Sequence, residues 1–139
     1  MPSTTITWHG LSEWRSALKM TESKIDNANR AAVVALGALA EREAKSNFQG
    51  SHRKGMPHVG GAQPNVVTGN LRRSITVTGV RSIGMGSYSL RVYPSAIYSR
   101  AIEMGRPGHN RAYPFFGPAI KVVRLRAKVM LAEAWSKYI

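Results

Sequence analysis

Four histidines, His9, His52, His58 and His109, are the side chains here best suited to metal binding or acid–base work, and their spacing argues against both. No two of them share a one-turn helical spacing with a nearby carboxylate, the arrangement a zinc hydrolase needs. The absence of cysteine excludes a thiolate nucleophile, a disulfide framework and a Cys-containing zinc site. The serines lack a nucleophile-elbow context, and the run GVRSIGMG at 79–86 lacks the Gly-Lys-Ser/Thr that completes a phosphate loop. Paired carboxylates are also missing after residue 50, where only Glu103 and Glu133 occur. Glu103 stands amid bases, and its expected role is a structural ion pair with Arg100, Arg106 or Arg72. The sequence therefore predicts no catalytic residue, no cofactor and no metal, and an enzyme is not expected.

What remains for chemistry is positive charge. Twenty Lys and Arg face seven Asp and Glu, a net charge of +13, which predicts attraction to nucleic acid or to an acidic protein surface. The excess is lopsided: residues 1–50 hold six bases and five acids, net +1, whereas residues 51–139 hold fourteen bases and two acids, net +12. Arg91 with Tyr93 and Arg111 with Tyr113 interleave bases with aromatics, yet no zinc-finger, ribonucleoprotein or basic-zipper pattern accompanies them. Contact with phosphates irrespective of sequence fits better than base readout.

The elements that must position these bases are legible from periodicity. Leu11, Trp14, Leu18, Ile25, Ala28, Ala32, Leu36 and Leu39 recur at helical spacing without a proline, predicting one long amphipathic helix to about Asn47, or two with a break. Its small-residue centre, NRAAVVALGALAERE, suits close packing against a sheet or a neighbouring subunit. Residues 50–69, GSHRKGMPHVGGAQPNVVTG, break every period and form a flexible basic loop, either a polyanion-contacting or subunit-bridging arm or a plain excursion. Ser74–Val80 and Tyr88–Pro94 alternate as two strands of an antiparallel hairpin around a glycine-rich connection. Residues 4–8, TTITW, offer a further edge strand. A short helix follows in SAIYSRAIEMG, with Ile97, Ala101 and Ile102 on one face and Gly105 as its stop.

Pro118 opens a last helix to about Lys137. Wound at 100° per residue, it gathers Ile120, Val123, Ala127, Met130, Leu131 and Ala134 on one face, with Lys121, Arg124 and Lys128 as a basic stripe beside it. A second apolar strip, Val122, Leu125 and Val129, stands apart, and it fits either another chain or a helix wedged between two internal layers. The length suits one domain, 1–139, and the class is α+β: a long N-terminal helix and a C-terminal helix packed on a small antiparallel sheet, with long basic loops. The N-terminus lacks a secretory pattern and no run is apolar enough to span a bilayer, so a soluble protein made in the cytoplasm is expected.

Three segments, VTGNLRRSI (67–75), YSRAIEMGRPG (98–108) and YPFFGPAI (113–120), stand in this order after the long helix. As an ordered set the chain resembles the neck or tail-completion proteins of long-tailed double-stranded DNA phages. The matching positions are Thr68, Gly69, Leu71, Arg72 and Ser74 in the first segment, and Tyr98, Glu103 and Gly105 in the second. In the third they are Pro114, Phe115, Phe116, Pro118 and Ala119. These are expected to form the fold: Gly69 a tight turn, Gly105 a helix cap, Phe115 and Phe116 an anchor for the last helix.

The resemblance implies a structural virion protein that assembles as a ring, sixfold by analogy with the tail below it, at the head-tail junction. Its implied neighbours are a head-closure or adaptor protein, a tail-terminator or tail-tube protein and the DNA in the channel, with no membrane. It would be assembled in the host cytoplasm. Arg53, Lys54, Arg72, Arg73, Arg81, Lys121, Arg124 and Lys128 are the expected contacts to DNA or to an acidic neighbour. A free-standing, non-sequence-specific nucleic-acid-binding protein is the alternative reading of the same charge.

Overall fold

In the computed structural model, Ser3, Thr5 and residues 10–139 are described, and the possible edge strand at residues 4–8 lies outside them. One unbroken helix, α1 (Leu11–Ser46), runs through the predicted amphipathic segment and spans about 54 Å at 1.5 Å per residue. Only its later part is covered. Ala28, Ala32, Leu39, Ala40 and Ala44 are buried, whereas every residue from 11 to 24 is exposed. The buried alanines recur at three-, four- and seven-residue intervals and let neighbouring elements approach the helix axis closely.

The C-terminal helix, α4 (Phe116–Tyr138), lies antiparallel along the covered part. At one end the Asn47 side chain donates from Nδ2 to the Phe115 carbonyl (2.9 Å), and at the other the Trp135 Nε1–H donates to Asn29 Oδ1 (2.8 Å). Ala119 is buried, and Ile120, Val123, Ala127, Met130 and Ala134 are half-buried, as the helical winding predicts, whereas Leu131, expected on the same face, lies at its edge and is exposed. Of the second apolar strip Val122 is half-buried, while Leu125 is 82% and Val129 53% exposed, so no internal layer among the described residues covers its outer part.

Between the two helices come the short helix α2 (Asn70–Arg73), the strands β1 (Ile75–Val77), β2 (Arg81–Gly84), β3 (Ser87–Ser89) and β4 (Val92–Pro94), and the short helix α3 (Ser99–Met104). The class is α+β. The strands form two antiparallel ladders where one hairpin was expected, β1 with β4 and β2 with β3. The interruption has a local cause: Thr78 Oγ1 accepts the Arg91 N–H (2.8 Å), taking a donor away from the ladder. The glycine-rich connection then pairs with itself, from Arg81–Ser89 to Gly84–Ser87.

The sheet reaches α1 through Leu90, which packs on Gly37. A Cβ at Gly37 would lie 2.7 Å from Leu90 Cδ2, so any larger residue there would push the Leu90 side chain aside. Beside it Tyr88 donates its hydroxyl to Asp26. That bond, followed by desolvation and the Asp26 charge, raises the phenol above its ordinary pKa, while Arg30 acts weakly in the other direction.

The principal core sits where the elements converge: Ala44 of α1, Leu71 of α2, Ile75 of β1, and Phe115 and Ala119 at the start of α4. Phe115 is fully buried and its ring lies 5.1 Å from that of Phe48, tilted by 48°. Burying such a side chain stabilises the fold by about 1.5–3 kcal/mol. Ile97, expected on the face of the short helix, precedes α3 and is 99% exposed.

Candidate functional site

Glu103 organises the region in which the three sequence segments meet. The first four N–H groups of a helix have no partner within it. In α4 these belong to Phe115, Phe116, Gly117 and Pro118, and no side chain in its first turn can cap them. Glu103 Oε2 accepts from the Phe115 (2.9 Å) and Phe116 (3.0 Å) amides, and Oε1 from that of Gly117 (2.8 Å). Pro118 has no N–H, so the accounting is complete. The carboxylate also places negative charge at the positive end of the helix dipole. Sequence reasoning expected an ion pair with an arginine; among the described residues the salt bridge found is Lys45 with Glu41, and Glu103 serves as a cap supplied from another helix.

Two further contacts hold Glu103 in place. Tyr113 N donates to Ile102 O (2.7 Å), and Gly105 leaves α3 at φ 77° and ψ 160°, a conformation essentially restricted to glycine. A Cβ at Gly105 would lie 2.7 Å from the Ala112 amide nitrogen. Asn110, which no sequence pattern singled out, donates from Nδ2 to Ala101 O and Arg111 O and braces the loop between α3 and α4.

The first segment lies against the same core. Leu71 is buried, Gly69 precedes α2 at φ 79°, and Thr68 Oγ1 accepts a long bond from Asn70 N (3.3 Å). Ser74 donates to Leu71 O, and its own carbonyl accepts from both the amide and the hydroxyl of Ser95. Phe116 and Pro114 are half-buried, while Pro118 and Tyr98 are exposed.

A cavity of about 610 Å³ opens between this framework and the 50–69 segment. Its walls include Phe48, Met56, Val67, Leu71, Tyr98 and Tyr113, with Arg72, Arg111 and three histidines, and no carboxylate. His58 stacks on Tyr113, with ring centroids 4.0 Å apart and 17° between planes, and the Arg111 guanidinium lies 5.4 Å from the same tyrosine ring. His58 Nε2 donates to Gln63 O and His52 Nδ1 to Arg53 O, so each has one ring nitrogen engaged by backbone. The 50–69 segment is irregular, and the Asn65 side chain ties its base: Nδ2 donates to Gln49 O and Val59 O, and Oδ1 accepts from Val59 N. Among the described residues no group of His, Asp and Glu could hold a metal ion. The cavity is equipped to bind an apolar or aromatic group with some negative charge.

The eight bases expected to make contacts are all exposed, and they fall into three regions. Arg53, Lys54, Arg72 and Arg73 belong to the loop and α2, where Arg72 and Arg73 join Lys45 around a cavity of about 410 Å³. Arg73 is engaged locally, donating from Nη2 to Thr68 O and Asn70 Oδ1. Lys121, Arg124 and Lys128 line the exposed side of α4. Arg81 opens β2. No helix among the described residues is long and apolar enough to cross a membrane.

The profile of the HK97-gp10-like family, described as "Bacteriophage HK97-gp10, putative tail-component", matches residues 15–105. That span begins within α1, takes in the strands, the first sequence segment and Glu103, and ends inside the second segment at Gly105, before the third. No curated protein and no solved structure matches the chain.

Proposed function

The chain belongs to the HK97-gp10-like family of bacteriophage tail components, and from that premise we propose that it is a non-enzymatic ring subunit completing the head-tail junction around the DNA channel. The observation that carries this reading is the family match over most of the chain. The charge distribution adds a direction to it. Residues 51–139, with a net +12, supply every base proposed as a contact, and all of them are exposed. A ring that DNA traverses needs affinity without sequence preference, which phosphate contacts by Arg and Lys provide. The partners proposed are further copies of this chain, a head-closure or adaptor protein, a tail-terminator or tail-tube protein, and the passing DNA. Its place in the virion would be the neck, reached after assembly in the host cytoplasm.

The direct test is electron cryomicroscopy of the particle, in which this chain should appear as a closed ring between head and tail. Charge reversal at Arg53 and Lys54 together should lower particle assembly or DNA retention while circular dichroism stays native. Unchanged assembly removes the loop from the contact surface. If no ring is present and the isolated chain instead binds DNA with a steep salt dependence, the free nucleic-acid-binding reading of the same charge replaces this one.

A further inference from the structure

Two apolar features have no cover among the described residues, and they lie at opposite ends of α1. At its start, Leu11, Trp14 and Leu18 share one face of the exposed overhang and are 44%, 61% and 44% exposed. Beyond its end, next to Phe48, opens the cavity walled by Met56, Val67, Tyr98 and Tyr113. From Leu18 to Ser46 the unbroken helix spans about 42 Å at 1.5 Å per residue, so a chain cannot fold its own overhang into its own cavity. A second copy can reach it.

Charge selects the overhang as the occupant. The cavity carries Arg72 and Arg111 with no carboxylate, and it belongs to the +12 portion of the chain. Any surface from that portion of another copy would bring like charge against like, which costs association free energy. Residues 1–50 carry only +1, and when the helix is wound at 100° per residue Glu22 and Arg15 both fall beside the Leu11–Leu18 stripe and offset one another, so this face brings little net charge to the cavity. The cavity volume of about 610 Å³ lies in the range that holds large apolar groups, and Trp is the residue type most able to anchor an interface from such a pocket.

We propose that the Leu11, Trp14 and Leu18 face of one copy seats in the Tyr98 and Tyr113 cavity of the next. The contact joins two different patches of the same chain, the head-to-tail type of interface from which rings are built when the rotation between copies closes and filaments when it does not. It rests on the ring reading above and supplies the subunit contact for it.

The absence of native cysteine makes the test clean. Differently tagged L18C and V67C chains are mixed, both in purified form and in particles complemented with the two variants, and oxidised. A disulfide between the two tags is expected, with none from L18C mixed with L125C, whose thiol lies on the exposed strip of α4. The double variant W14A/L18A, altered only at exposed positions, should keep the native melting temperature and lose self-association by about 30-fold or more. Particles that show the ring but yield no L18C–V67C link, or self-association unchanged in W14A/L18A, overturn this contact and leave the ring standing. An L18C link to a different tail protein overturns it likewise. Particles without a ring of this chain remove the ring reading itself.

Discussion

Replacing Glu103 by alanine strips three backbone donors of their acceptor at once, Phe115, Phe116 and Gly117, each now bonded at 2.8–3.0 Å. Loss of a helix cap costs about 1 kcal/mol. Loss of a negative charge at a partly buried helix N-terminus adds about 1–2 kcal/mol. Glu103 is half-buried, so water recovers part of the hydrogen bonding and the sum stays near 2–3 kcal/mol. For a chain of 139 residues the unfolding entropy is roughly 0.3 kcal/mol/K near the midpoint, so the melting temperature should fall by about 7–10 °C. Thermal unfolding followed by circular dichroism measures this. E103Q retains one good acceptor without the charge and should fall about half as far. Hydrogen exchange supplies the local signature, with the amides at 115–117 losing protection ahead of the rest of α4. Arg100→Ala and Arg106→Ala are the counter-test. If either destabilises as much as E103A, or if E103A melts within about 1 °C of wild type, the cap is not what Glu103 provides.

Three further outcomes follow from the same geometry. Gly105→Ala must hold φ 77° with ψ 160° and place a Cβ 2.7 Å from the Ala112 nitrogen, so denaturant unfolding should show a loss of about 3 kcal/mol or more. Asn65→Ala frees the base of the 50–69 segment from Gln49 and Val59, and limited proteolysis should cut between 50 and 69 faster with little change in melting temperature. The raised Tyr88 phenol favours the protonated side chain in the folded state, chiefly through its bond to Asp26. Its stabilisation is therefore complete below the ordinary tyrosine pKa of about 10 and is lost as pH rises through the folded value. Tyr88→Phe should lower stability at neutral pH and flatten the alkaline side of the stability profile, measured by unfolding across a pH series.

Much of this protein is written locally in its sequence. The long α1 follows from apolar residues at helical spacing with no proline, and the covered face of α4 from the same winding, because a helix must turn its apolar stripe toward whatever buries it. The positive charge of residues 51–139 needs no fold to be counted, and the ordered motif segments pointed to the phage tail family on side-chain identity alone. What the sequence left open are matters of distance between residues far apart in the chain. Glu103 looked like an arginine partner because its neighbours in sequence are basic, while its partners in space are three amides 12–14 residues on, and backbone donors leave no trace in a string of side chains. The ladder splits at Thr78 because a hydroxyl took one amide, a competition that alternation cannot register. The exposed strip on α4 and the bare first turns of α1 were apolar on paper and therefore ambiguous; only tertiary packing decided that no part of the described chain covers them. The cavity belongs to the same class, since its walls come from stretches between Phe48 and Arg72 and between Tyr98 and Tyr113 that meet only when Leu71, Ile75 and Phe115 have closed the core against Ala44.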